Sequence, residues 1–192
     1  MTPEAALDAA FAAQPRERFL PPGLRSAAAT DGPLDIGHGQ TNSQPRTVRA
    51  MLRLLDVREG QRVLDVGSGS GWTTSLLAEL VGPGGTVLGL ERVPELVALG
   101  TAHLAAAGVP WAAIRAADPE RLGAPGDGPF DRVLVSAMAT RLPRALVGQL
   151  APGGVLVVPV AGLMTRVARG AGPGDVTVTE HGRYRFVPLV GG

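Results

Sequence analysis

The sequence predicts an α/β fold built on a doubly wound, mostly parallel sheet. Three observations predict it. Short apolar runs alternate with helical patterns from residue 62 to residue 160. A glycine-rich turn, "VGSGSGW" (66–72), joins the first of those strands to its helix. Residues 163 to 189 then carry strand-like runs with no helix between them. Alternating strands and helices imply parallel strands with helices on both faces. The final runs should add antiparallel strands at one edge.

The elements follow in order. Residues 3–13 read as a short helix, with Thr2 as its N-cap and Pro3 in its first turn. Residues 14–45 are rich in Pro, Gly and polar groups. That is long for a connection in a compact domain, and such segments tend to be functional or disordered. Val48, Met51, Leu52 and Leu55 recur at helical spacing over 46–56. Strands are expected at 62–66, 86–91, 111–116, 131–137 and 154–160, with helices at 72–81, 93–107 and 143–150. The later runs at 163–169, 176–180 and 183–189 are joined by "GAGPGD" and "HG".

Composition narrows the function. A chain of 192 residues that is 45% hydrophobic suits one globular domain. Net charge is +1 and no basic run exists, so nucleic acid is not an expected partner. There is no cysteine, which excludes disulfides and thiolate chemistry. All 18 basic residues are arginine, which excludes Schiff-base lysines and Walker-type phosphate loops. The N-terminal stretch is broken by charges and lacks the apolar core of a signal peptide. No apolar run approaches the ~20 residues of a membrane span, so a soluble cytoplasmic protein, off the membrane, is expected.

The glycine turn is the strongest local signal. Gly67, Gly69 and Gly71 give G-x-G-x-G, with Trp72 where a dinucleotide fingerprint has its third glycine. Asp65 precedes the first glycine and suits a cationic group, such as the amino group of S-adenosylmethionine. Glu91 ends the next strand, 20 residues after Gly71, where an acid can accept from ribose hydroxyls. Asp118 follows the third strand and can meet an adenine amino group, although Asp before Pro is also an ordinary turn. On these residues alone, a nicotinamide enzyme or a ligand-free turn remains an alternative. His38, His103 and His181 are scattered, with no metal-ligand spacing.

Six segments together carry a resemblance: "PLDIGHGQTNSQP" (33–45), "VLDVGSGSGW" (63–72), "LERVPEL" (90–96), "PFDRVLVSA" (129–137), "LVGQLAPGGVLVVPV" (146–160) and "YRFVPLVGG" (184–192), with "PRERF" at 15–19. The chain resembles the protein-L-isoaspartate O-methyltransferases over nearly its whole length. The resemblance implies a seven-stranded sheet of the class I methyltransferase type with a reversed C-terminal strand. It implies S-adenosyl-L-methionine as donor, S-adenosyl-L-homocysteine as product, and transfer to the α-carboxylate of L-isoaspartyl residues in damaged proteins or peptides. Ser43 matches the active-site serine, with Thr41 beside it. Gln40, Thr41, Asn42, Ser43, Asp65, Gly67, Ser68, Gly69, Gly71, Glu91, Arg92 and Asp118 match the cofactor side. Ser43, Asn42, Arg185 and Val187 fall on the substrate side, with no metal. One unit is expected, acting as a monomer: an N-terminal helix and loop (1–45), a core (46–160) and C-terminal strands (161–192).

Departures mark the substrate side. Asn42 stands where the family usually has an apolar residue, often isoleucine. The usual Gly-Asp-Gly is Ala117-Asp118-Pro119. "AMATRLP" (137–143) replaces small residues and proline, bringing in Met138 and Arg141. Two alternatives therefore stand beside repair: a relative dedicated to the carboxylate of one peptide or small molecule, and a non-catalytic donor-binding interaction module. A carboxylate is nucleophilic near neutral pH, so alignment rather than a strong base is needed. Neutral hydroxyls such as those of Thr41 and Ser43 suit that task better than His38 or an arginine clamp. Arg185 suits a substrate carboxylate or an exposed strand position equally.

Overall fold

The computed structural model describes residues 2–172 and 174–190. Pro173 of the "GAGPGD" turn and Gly191–Gly192 of the C-terminal ending lie outside the described residues. The elements are α1 (Pro3–Ala13), two 3-10 turns (Arg16–Phe19, Pro22–Ala27), β1 (Leu34–Gly37), β2 (Gln40–Asn42), α2 (Pro45–Leu55), β3 (Arg62–Val66), α3 (Trp72–Val81), β4 (Thr86–Glu91), α4 (Pro94–Ala107), β5 (Ala112–Ala116), β6 (Phe130–Val135), α5 (Arg144–Val147), β7 (Leu150–Val160), β8 (Leu163–Arg169) and β9 (Val176–Arg183). The Thr2 hydroxyl caps α1 by accepting from the Ala5 N–H at 3.3 Å.

Seven strands form one sheet in the order β5-β4-β3-β6-β7-β8-β9. β5, β4, β3, β6 and β7 are parallel, and β8 and β9 add an antiparallel meander. Strand alternation divides the apolar side chains between two faces. Val63, Val87, Leu134, Val155 and Val157 pack with Leu7, Met51, Leu52, Leu76 and Leu104 beneath the α1–α4 layer. Leu64, Val66, Val133, Val135, Leu156 and Val158 pack on the other face with Phe130, Leu146 and Leu150. That face carries only the single turn of α5 and the irregular segment 117–129, so its helical cover is thinner than the sequence pattern implies.

Two expectations are corrected. The helix expected at 143–150 is only Arg144–Val147, because Leu150 is already drawn into β7 opposite Phe130. The strand expected at 183–189 does not form. β9 runs on to Arg183, and the chain then crosses the sheet's carboxyl edge as an extended tail. Its pairing is one parallel bridge, Met138↔Pro188, secured by Met138 N–H to the Val187 carbonyl (2.7 Å) and Leu189 N–H to the Met138 carbonyl (2.8 Å). The long 14–45 segment is ordered by the two 3-10 turns and the β1–β2 hairpin. No described helix is long and apolar enough to cross a membrane.

Candidate active site

β3 is flanked by β4 on one side and β6 on the other, so strand order reverses there. Such a switch point leaves a crevice beyond the carboxyl ends of the strands. A cleft of about 900 Å³, including its open mouth, lies at this place. Eight short stretches wall it: 40–43, 66–70, 72–73, 90–92, 117–118, 121–123, 136–137 and 187–190. Segments far apart in sequence thus converge because the sheet ends bring them together.

The glycine loop forms the floor. Gly67 (φ 82°) and Gly69 (φ 53°) both take left-handed backbone, and both line the cleft. Gly71 does something else. It lies outside the cleft wall, and a Cβ there would stand 3.2 Å from the Gly100 carbonyl oxygen of α4. It permits helix packing rather than ligand approach. Glu91 is buried at the end of β4, and its carboxylate accepts from the Gly69 N–H (2.9 Å), the Arg92 N–H (2.7 Å) and the Val93 N–H (2.9 Å). An ionised carboxylate has about four acceptor positions. One on Oε2 is therefore left toward the cleft, where the sequence reading expected two hydroxyls to be served.

Asp65 lies beneath this loop, fully buried and outside the cleft wall. Thr74 donates to its Oδ2 at 2.7 Å, and its Oδ1 has no partner. Burial pushes its pKa up to about 7, assisted by the neighbouring Glu91 and opposed by the Thr74 hydrogen bond. Ser68 Oγ is a second buried, unpartnered polar atom, and Ser68 does line the cleft. Asp118 and Arg92 are exposed on the cleft wall, with Asp118 Oδ1 accepting from the Glu120 N–H at 2.8 Å.

The β1–β2 hairpin supplies the opposite wall. Alternation along β2 turns Thr41 outward and Asn42 inward, and Ser43 follows, half-buried. Gln40, Thr41, Asn42 and Ser43 all line the cleft. Among the described residues, no hydrogen bond occupies the Thr41 or Ser43 hydroxyl. Asn42 is engaged: its Oδ1 accepts from Arg16 Nε at 2.7 Å, and its Nδ2 donates to Ser70 Oγ at 3.3 Å. Arg16 is buried and also donates to the carbonyls of Ala28, Thr30, Gly32 and Asn42 (2.8–3.3 Å), with Trp72 5.5 Å below its guanidinium carbon. The polar groups of Asn42 are thus directed into the protein.

His38 sits at the exposed tip of the hairpin (φ 57°), outside the cleft wall. His103 donates its Nδ1–H to the Ser70 carbonyl at 2.8 Å, behind the glycine loop. Val187 lines the cleft from the tail; Arg185 is exposed and does not. Sequence reasoning missed Ser70, Ser136, Arg121, Leu122 and Gly123 in the wall. Ser136, following β6, was the reachable one, since it ends a strand adjacent to the glycine turn. The 121–123 stretch carries no pattern; it is held by Gln149, which accepts from the Ala124 N–H (2.8 Å) and donates to the Leu122 carbonyl (2.9 Å).

Residues 2–192 match the family model for protein-L-isoaspartate(D-aspartate) O-methyltransferase. The chain belongs to that family. A protein-L-isoaspartate O-methyltransferase of Aeropyrum pernix is 42% identical over 190 residues, spanning 95% of this chain and 71% of its own length. One from Methanopyrus kandleri is 40% identical over 181 residues, 92% and 80% of the two chains. A crystal structure described as a protein-L-isoaspartate O-methyltransferase of Plasmodium falciparum, in complex with S-adenosyl-L-homocysteine, superposes with a TM-score of 0.83 at 25% identity. That match covers 96% of this chain and 89% of the other. The seven-stranded methyltransferase fold and the family expected from the motifs are both confirmed.

Proposed function

We propose that this protein transfers a methyl group from S-adenosyl-L-methionine to the α-carboxylate of L-isoaspartyl residues in damaged proteins or peptides. The carrying observation is the cleft at the sheet's switch point, where the family's serine loop (40–43) faces the glycine loop (67–70). The residues present suit the donor. Gly67 and Gly69 allow close backbone approach, Glu91 keeps an acceptor position free, and Ser68 presents an unpartnered hydroxyl. Asp118 Oδ2 and the Gln40 and Arg92 side chains complete that side. S-adenosylmethionine would supply an electrophilic methyl group.

The chain's own task is alignment. A carboxylate acceptor is ionised well below neutral pH, so no residue need remove a proton. The Thr41 and Ser43 hydroxyls would orient it as neutral donors, without the strong charge pairing that would stabilise the ground state. The 187–190 tail would exclude water from one side. Asp65 acts beneath the loop, fixing the α3 end through Thr74 and giving the floor a buried carboxyl near Glu91 and Ser68.

The same reading makes the chain one functional unit: residues 1–45 and 161–192 close the site carried by the 46–160 core, and the protein acts as a cytoplasmic monomer. A dedicated substrate finds less support now that Asn42 is turned inward. The test is transfer of labelled methyl to an isoaspartyl peptide as a base-labile ester. Donor binding in calorimetry without any ester formation would refute the proposal and favour a non-catalytic role.

A further inference from the structure

A second groove of about 1020 Å³, including its mouth, adjoins the cleft. Leu122 and Leu189 belong to both walls, so the two spaces lie side by side. The Leu189 wall is set by its N–H bond to the Met138 carbonyl. Thr140, Arg141, Pro143 and Arg144 form the groove's other side. Arg141 and Arg144 are exposed, and no carboxylate lines the groove. Among the described residues, neither arginine makes a salt bridge, whereas Arg46, Arg49, Arg53, Arg58 and Arg115 each lie within 4.0 Å of an acid. Arg121, on the cleft side of Leu122, adds a third cation at the shared lip. The cleft wall balances Arg121 with Asp118, whereas the groove itself holds Arg141 and Arg144 with no acid, in a chain whose net charge is only +1.

We infer that this groove is a subsite for an acidic residue of the substrate peptide, next in sequence to the methyl-accepting residue. The inference rests on the peptide-carboxylate reading above. Its chemistry is direct. Guanidinium groups bind carboxylates through charge-assisted, often paired hydrogen bonds. The acceptor's own α-carboxylate is taken by the cleft, so a second carboxylate on the same peptide is what the groove's cations remain to meet.

The test uses isoaspartyl peptides carrying Glu, Ala or Lys at each neighbouring position, methylated at low (about 50 mM) and high (about 500 mM) salt. At low salt, Glu at one or more positions lowers KM about fivefold against Ala, and Lys raises it, as exposed ion pairs allow. The difference shrinks at high salt. Arg141→Glu with Arg144→Glu reverses the preference and leaves donor affinity and KM for the Ala peptide within about twofold. Equal KM for all three peptides in the parent protein, or an unaltered preference in the double variant, overturns the inference while leaving isoaspartyl methylation standing. No methylation of any peptide overturns both.

Discussion

Arg16 takes a guanidinium into the interior with carbonyl oxygens and one amide as partners, and no carboxylate. Burial lowers its pKa, with Asp31 opposing, yet a guanidinium stays charged in any protein. Asn42→Ala strips the Nε donor of its acceptor. An unsatisfied buried donor costs about 1–3 kcal/mol, and thermal unfolding should show a fall of several degrees. An unchanged Tm would mean that the Arg16–Asn42 bond contributes nothing. Ser43→Ala removes one neutral hydrogen bond to the acceptor. It should lower kcat roughly three- to tenfold with donor affinity within about threefold, read by initial rates and calorimetry; equal loss in both would place Ser43 on the donor side. Asp65 gives a pH prediction. Its folded pKa, near 7, lies above the unfolded carboxylate value. The folded state therefore holds the proton more tightly, and the contribution is fully present below about pH 4. It is lost as pH rises through about 7. Without donor, stability should decline over that window by an amount on the order of a few kcal/mol, and Asp65→Asn should flatten the decline. A parallel decline in the variant would exclude Asp65 as its source.

At the scale of elements, the glycine turn and the hairpin decide the site. Gly69 and Gly71 look equivalent in sequence, two residues apart, but one faces the cleft and the other faces α4. Gly69→Val should weaken donor binding by at least about tenfold in a protein that is still folded but less stable, since its φ is 53° and a Cβ there would stand 3.3 Å from Ile36 Cδ1. Gly71→Ala should instead lower stability by about 1–3 kcal/mol, since its φ of 88° and the Gly100 carbonyl oppose a side chain. Calorimetry on the folded variants separates the two, because only Gly69→Val should lose donor affinity. Equal donor affinity in Gly69→Val and the parent would contradict the loop's role. The contrast also shows what sequence can carry. "RVLDVGSGSGW" specifies strand, turn and helix locally, so that unit was legible. Which glycine faces ligand depends on α4, a partner that local pattern does not reveal. The same holds for 183–189, whose alternation reads as a strand of its own: Arg183 instead ends β9 opposite Leu163, the Tyr184 N–H donates to the Gly162 carbonyl, and beyond these the tail makes a single bridge, at Met138. Asn42 lines the cleft as the sequence suggests, but the inward turn of its amide depends on Arg16, 26 residues earlier, which no local pattern reveals.

At the scale of the molecule, the sheet's order reversal at β3 gathers Gly67, Glu91, Asp118 and Ser136 at one edge, and the hairpin and tail close over it. Alternating strands and helices imply a parallel sheet that binds ligand at its carboxyl edge, so the floor of the site could be named from sequence even though the strand order could not. The walls could not be named fully, because 121–123 and the tail owe their places to Gln149 and Met138 rather than to any periodicity. Substrate choice is likewise a property of the assembled cleft. The cleft's task is to align an isoaspartyl α-carboxylate with a methyl donor. The most direct measurement compares kcat/KM for two peptides identical except for isoaspartyl or aspartyl linkage at one residue. Ester should form on the isoaspartyl peptide and at least about a hundredfold less on the aspartyl one, since alignment is worth several kcal/mol. Equal rates on both peptides, or ester on neither despite donor binding, would contradict it.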